Sequence, residues 1–89
     1  MTEYEFTQRV KRQLRIARTD SGMKMLDIYR NTNLSYPTVC TAFQRGSRKN
    51  ITLNTLKQLC DAMGVSLVSV LNASELNEKM EINNARVGR

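Results

Sequence analysis

Residues 52–67 read Thr52-Leu53-Asn54-Thr55-Leu56-Lys57-Gln58-Leu59-Cys60-Asp61-Ala62-Met63-Gly64-Val65-Ser66-Leu67, and this stretch decides the fold class. Leu53, Leu56, Leu59, Cys60 and Met63 recur at helical spacing, so one side of a helix is apolar and expects a core to face. Thr52 stands before the run as an N-cap, its hydroxyl placed to accept a backbone N–H that the first turn leaves orphaned. Gly64 follows the run and suits the left-handed conformation that closes a helix. Val65 is placed for the apolar contact that accompanies such a close. Ser66 then caps a further segment whose Leu67, Val70 and Leu71 pack back.

The same punctuation continues upstream. Over residues 4–19, Phe6, Val10, Leu14 and Ala17 form one apolar stripe. Lys11, Arg15 and Arg18 fall on the opposite side of that helix, Arg9 and Arg12 flank them, and Ile16 lies off the stripe. Ser21-Gly22 supplies the stop. A short second helix covers about residues 24–32, burying Ile28 with either Leu26 or Met25. Asn33 ends it: Asn adopts positive φ more readily than any residue except Gly, so the chain is expected to turn there. Ser35 caps a third helix with its hydroxyl toward the Thr38 N–H, and Tyr36 and Pro37 occupy the first turn, where a missing N–H costs little. Val39, Ala42 and Phe43 face inward; Tyr36, Thr38, Thr41, Gln44 and Arg45 face outward. Gly46 is expected to end this helix, with Ser47-Arg48-Lys49-Asn50 as a basic loop. The pattern predicts an all-α domain of five helices, with no strand pattern before residue 80.

The chain has 89 residues, 14 Lys+Arg, 8 Asp+Glu and no His, for a net charge of +6. That length holds one small domain. Residues 1–8 carry only Glu3 and Glu5, and residues 50–89 balance to zero. Residues 9–49 hold ten cations (Arg9, Lys11, Arg12, Arg15, Arg18, Lys24, Arg30, Arg45, Arg48, Lys49) against Asp20 and Asp27, a net of +8. An excess confined to one half of a chain is expected of a surface that faces a polyanion. Without His, neither a Ser-His-Asp nor a Cys-His arrangement can be built. Two Cys cannot complete a four-ligand zinc site, so Cys40 and Cys60 read as small buried hydrophobes with reduced thiols. Gly22, Gly46, Gly64 and Gly88 lie too far apart for a phosphate-cradling loop. No apolar run reaches the roughly 20 residues of a membrane span, and residues 1–6 lack the pattern of a signal peptide. The expectation is a soluble cytoplasmic protein that is not an enzyme and holds no metal or cofactor.

Residues 22–46, read with residues 52–71, resemble the helix-turn-helix domain of the phage-repressor and Cro-like (XRE) regulators. Leu34-Ser35-Tyr36-Pro37-Thr38-Val39 is similar to that family's opening of the recognition helix. The more specific likeness lies in Thr52 to Leu67, where Leu-x-x-Leu, Ala-x-Gly-Val and Ser-Leu all fall in register. The resemblance covers roughly residues 5–72. It implies a five-helix lambda-repressor-like domain over residues 1–72 and a C-terminal tail over 73–89. Tyr29 stands where the family usually has Ala, and Asn33 where it has Gly. Lys24-Met25 replaces a usual Ser/Thr-Gln pair, and Gly46 comes one residue late.

What the resemblance implies for function is sequence-specific binding of double-stranded DNA by a dimeric repressor. A recognition helix enters the major groove N-terminus first. Tyr36, Pro37, Thr38, Thr41 and Gln44 then occupy the base-contacting positions, and Lys24, Ser35, Arg45, Arg48 and Lys49 the phosphate-contacting ones. Thr38 has a second reading, in which it only completes the first turn of its helix. A reading face of Thr, Pro and Tyr suits thymine methyl contacts and leaves much of the discrimination to DNA shape. Four to six neutralised phosphates per protomer predict a salt slope of roughly −4 to −5. Val68 and residues 73–82 are the candidates for a homodimer contact, with Leu76 and Met80 as an apolar pair and Ser74 capping a further turn beside Glu75. A strand over 79–87 paired across a dimer is a variant of that expectation. Two other classes fit the same residues: an antitoxin whose 73–89 segment blocks a toxin, and a helical module that binds protein or RNA.

Overall fold

Thr2 begins the first helix, its Oγ1 accepting the Glu5 N–H at 3.1 Å, with Glu3 and Glu5 in the turn where the helix dipole favours acidic side chains. In the computed structural model, which describes residues 2–47 and 49–75, this helix is α1 (Glu3–Ser21). It closes on Gly22 at φ 70, whose N–H reaches the Arg18 and Thr19 carbonyls. Next come α2 (Met25–Arg30), α3 (Tyr36–Phe43) and α4 (Leu53–Met63). A fifth helix, α5, runs over residues 67–75, to the end of the second described stretch. The described residues contain five helices and no strand, and they form an all-α domain.

The C-terminal half follows its local signals. Thr52 Oγ1 accepts the Thr55 N–H at 3.1 Å, and Gly64 adopts φ 71. The Val65 N–H bonds the Cys60 carbonyl at 2.9 Å and the Gly64 N–H the Asp61 carbonyl at 3.2 Å, the paired bonds of a Schellman close. Ser66 caps α5 through the Ser69 N–H at 3.3 Å. Leu56, Leu59, Cys60 and Met63 are buried, but Leu53 is 68% exposed and does not join the core face as expected. As the first residue of α4 it precedes the turn that packs, so its side chain stays in solvent. Ser74 does not start a new turn. It lies inside α5, fully buried, and its hydroxyl donates to the Val70 carbonyl at 2.9 Å, so the helix crosses the 72/73 division unbroken.

The core is contributed by every helix: Val10 and Leu14 from α1, Ile28 from α2, Val39, Ala42 and Phe43 from α3, the α4 set, and Val70 from α5. Both α1 and α2 pack on α3 and α4. At the start of α2, Met25 packs against the core and Leu26 stays exposed, which decides between the two. Tyr4, Ile16, Tyr36 and Val68 are the other large apolar side chains left in solvent.

Two turns differ from expectation. Asn33 does not take positive φ, and no described non-glycine residue does. The chain reverses over residues 31–35 because its free backbone groups find side-chain partners. Thr32 Oγ1 donates to the Tyr29 carbonyl at 3.0 Å and accepts the Leu34 N–H at 3.3 Å. Gln58 of α4 accepts the Asn33 N–H at 2.8 Å, so no left-handed residue is needed. The end of α3 also moves: the helix stops at Phe43, and Gln44 is extended at φ −76, ψ 130. Gly46, at φ 73, turns the following loop instead of closing the helix.

Candidate nucleic-acid interface

The third helix is built to show one face. Ser35 Oγ accepts the Thr38 N–H at 3.3 Å and lies 2.7 Å from Thr38 Oγ1, so both hydroxyls are engaged in starting the helix. Val39, Ala42 and Phe43 turn inward and are buried, which sets Tyr36, Pro37 and Thr38 into solvent at the other side. No residue of α3 is charged. Tyr36 is 42% exposed, and its ring meets Tyr29 edge-to-face, with centroids 5.4 Å apart and planes at 87°. This contact accommodates the partly buried Tyr29, whose ring packs against Tyr36 at the N-terminal end of α3. The Cys40 side chain, one turn along, raises the Tyr36 hydroxyl pKa, first through a hydrogen bond and then through its charge.

Thr41 is half-buried and, with Pro37 and Thr38, lines a cleft of about 250 Å³ whose other wall is Lys49, Asn50, Ile51 and Thr52. The structure therefore brings together three of the residues expected at base edges and one expected at phosphate. Gln44 is not with them. It is exposed in the extended residue after α3, at the opposite end from Tyr36. Lys24 is exposed at the N-cap of α2, where its backbone N–H is accepted by the Asp27 carboxylate at 3.2 Å. Arg30, Arg45 and Lys49 are exposed as well. Arg48 lies outside the described residues, as do Leu76, Met80 and the 76–89 part of the expected tail, including the strand considered over 79–87.

The basic side of α1 is where the sequence reading needs correcting. Lys11 was expected opposite the apolar stripe; it has 0% exposure, and its Nζ approaches the Ser47 carbonyl at 3.4 Å. Arg15 donates from Nη1 to the Phe43 carbonyl at 3.1 Å, and the Arg18 guanidinium lies 5.9 Å from the centre of the Phe43 ring. Gln8 completes the set, donating to the Ser47 carbonyl at 2.9 Å while its Oε1 accepts the Gly46 N–H at 3.1 Å. Residues 8, 11, 15 and 18 recur at the same three-and-four spacing as the apolar stripe, so they form a second seam on α1. That seam holds the C-terminal end of α3 and the loop behind it. The reason is electrostatic: the last carbonyls of a helix are unpaired and carry partial negative charge, and α3 has no cation in its own last turn. Burial lowers the Lys11 pKa, with the nearby Arg15 as the lesser cause. Burial likewise lowers that of Arg15, with Arg45 and then Arg12 contributing.

The sequence signal for this seam was present in the spacing of Gln8, Lys11, Arg15 and Arg18, but charge counting alone assigned those cations to solvent or to a polyanion. Gln58, which holds the α2–α3 turn from α4, had no comparable signal, because its partner lies 25 residues away. No family model, curated protein or solved structure compared with this chain matches it. Among the described residues, no helix is long and apolar enough to cross a membrane.

Proposed function

We propose that this chain is a sequence-specific double-stranded DNA-binding regulator of the small phage- or plasmid-repressor type, acting in the cytoplasm as a homodimer. The observation that carries this reading is the setting of α3: an uncharged helix whose buried back fixes its orientation. Its exposed N-terminal face shares a cleft with the exposed Lys49 of the following loop, and Lys24 is exposed at the N-cap of the preceding helix. Such a division suits DNA, where cations on the flanks hold phosphates and an uncharged helix face meets base edges. Tyr36, Pro37, Thr38 and Thr41 are assigned to the bases, and Lys24, Lys49 and Arg45 to the backbone. Ser35 and Thr38 are tied to each other, so their hydroxyls serve the N-terminus of α3 first and DNA second. Val68, 64% exposed on α5, is assigned to the dimer contact.

Selection of bound duplexes from a random pool at fixed salt tests the proposal. The wild-type chain should enrich one near-palindromic sequence. Tyr36→Ala and Thr41→Ala should each change the preferred base at a defined position, with loss there of about 1–3 kcal/mol of discrimination. A pool that shows no enrichment, or a binding constant that does not move with salt, removes the DNA reading.

A further inference from the structure

A second concavity is lined by Arg12, Arg15, Arg18 and Arg45, with Asp20 also in its wall. We propose that these four guanidinium groups clamp phosphates of the DNA strand that flanks the C-terminal end of α3, on the far side of the groove from Lys24. The proposal rests on the DNA reading above and adds a second line of backbone contact to it.

Three observations carry it. First, four like charges share one surface, and among the described residues none of the four is ion-paired. A cluster of this kind repels itself unless an anion completes it. Secondly, it is held to α3 and is not merely near it: Arg15 bonds the Phe43 carbonyl, Arg18 sits against the Phe43 ring, and Arg45 belongs to the turn after Gln44. Arg18 also keeps its Nε buried without a hydrogen-bond partner. Thirdly, the dimensions agree. A helix of eight residues is roughly 12 Å long, close to the roughly 12 Å width of the major groove. When the N-terminal end of α3 meets the bases, its C-terminal end lies at a phosphodiester strand. The planar fork of Arg matches phosphate oxygens two at a time, and Arg15 spends one of its five donors on Phe43.

The test is fluorescence anisotropy on the selected duplex over about 50 to 200 mM salt, with the doubly substituted Arg12→Gln/Arg45→Gln and Arg12→Lys/Arg45→Lys chains. Arg12 and Arg45 are exposed, and circular dichroism should show both variants folded as the wild type. The Gln pair is expected to make the slope of log K against log[salt] shallower by roughly 1.8, weaken every duplex alike and leave base preference unchanged. The Lys pair should keep the wild-type slope. An unchanged slope in the Gln pair, while the wild type binds normally, overturns the clamp together with the backbone role of Arg45, and leaves the rest of the DNA reading standing. So does a changed base preference, which would make the pair readers of sequence. A Gln pair that binds DNA as the wild type does but no longer binds poly-glutamate would assign the concavity to an acidic protein segment. If the wild type itself selects no duplex, the clamp falls together with the reading it rests on.

Discussion

Gln8 sits in the exposed-looking part of a basic helix, yet its side-chain amide makes two hydrogen bonds to the loop after α3, and Gln8→Ala removes both. The bonds are Nε2 to the Ser47 carbonyl at 2.9 Å and Oε1 from the Gly46 N–H at 3.1 Å. A hydrogen bond of this kind contributes about 1 kcal/mol net. The Gly46 group is exposed and water replaces that bond in part, so the two together contribute about 1.5 kcal/mol. Ala is the better helix former by a few tenths of a kcal/mol, which offsets some of the loss. The expected destabilisation is about 1 kcal/mol, equivalent to a fall in Tm of about 4–8 °C for a domain of this size. Urea unfolding followed by far-UV circular dichroism measures it, with an unchanged m-value as the sign that native contacts and not the unfolded chain are altered. Amide exchange should also rise at Gly46 beyond what the global change requires, while the Leu59 amide follows global stability alone. Under the proposed function, in which this loop carries Arg45 and Lys49 to the DNA backbone, DNA affinity should fall without a change in base preference. A Gln8→Ala chain as stable as the wild type, with Gly46 exchange unaltered, would refute the claim that α1 holds this loop.

Other substitutions separate the remaining claims. Ser35→Ala removes the cap of α3 and should cost about 1 kcal/mol in denaturant unfolding, whereas an unaltered midpoint would mean that Thr38 needs no cap. Leu59→Ala should cost about 3 kcal/mol and Leu53→Ala less than about 0.5, since one is fully buried and the other sits in solvent; equal losses would put Leu53 back in the core. Lys11→Met keeps the stem and removes the buried ammonium, and should lie within about 1 kcal/mol of the wild type at neutral pH. Its pH dependence carries the sign. The unfolded chain holds the Lys11 proton up to the ordinary 10.5, while the folded chain releases it earlier. Wild-type stability therefore gains relative to the variant as pH climbs through the lowered folded value, and the gain is complete near 10.5. Denaturant midpoints of the two chains that stay parallel across that range would place Lys11 in water.

Much of the fold was legible because the responsible signals act within a turn or two. Ser35, Thr52 and Ser66 accept the N–H three residues on, as their place before each apolar run implies. Gly22 and Gly64 take positive φ where the apolar periodicity ends. The candidate site was legible in the same way: Tyr36, Pro37 and Thr38 are exposed because Val39, Ala42 and Phe43 are buried, and helical geometry links the two facts. The extent of α3 was not, since Gly46 attracts a helix end by its propensity alone. The actual end at Phe43 goes with the Phe43 carbonyl that Arg15 takes up from another helix, while Gln8 and Lys11 hold the Ser47 carbonyl of the loop beyond it.

What the sequence by itself determined is the class of the fold and the face that α3 presents, because caps, glycine stops and apolar stripes are properties of neighbouring residues. It also determined that positive charge is concentrated in residues 9–49. Only the tertiary structure decided what those charges do. Lys11 is buried against Ser47, Arg15 and Arg18 hold the end of α3, and Arg12 and Arg45 are left facing solvent beside them. The physical reason is that a cation and a helix-terminal carbonyl attract one another through space, whatever their separation along the chain. Arg15 and Phe43 stand 28 residues apart in sequence, and only the packing of α1 across α3 brings guanidinium and carbonyl to 3.1 Å.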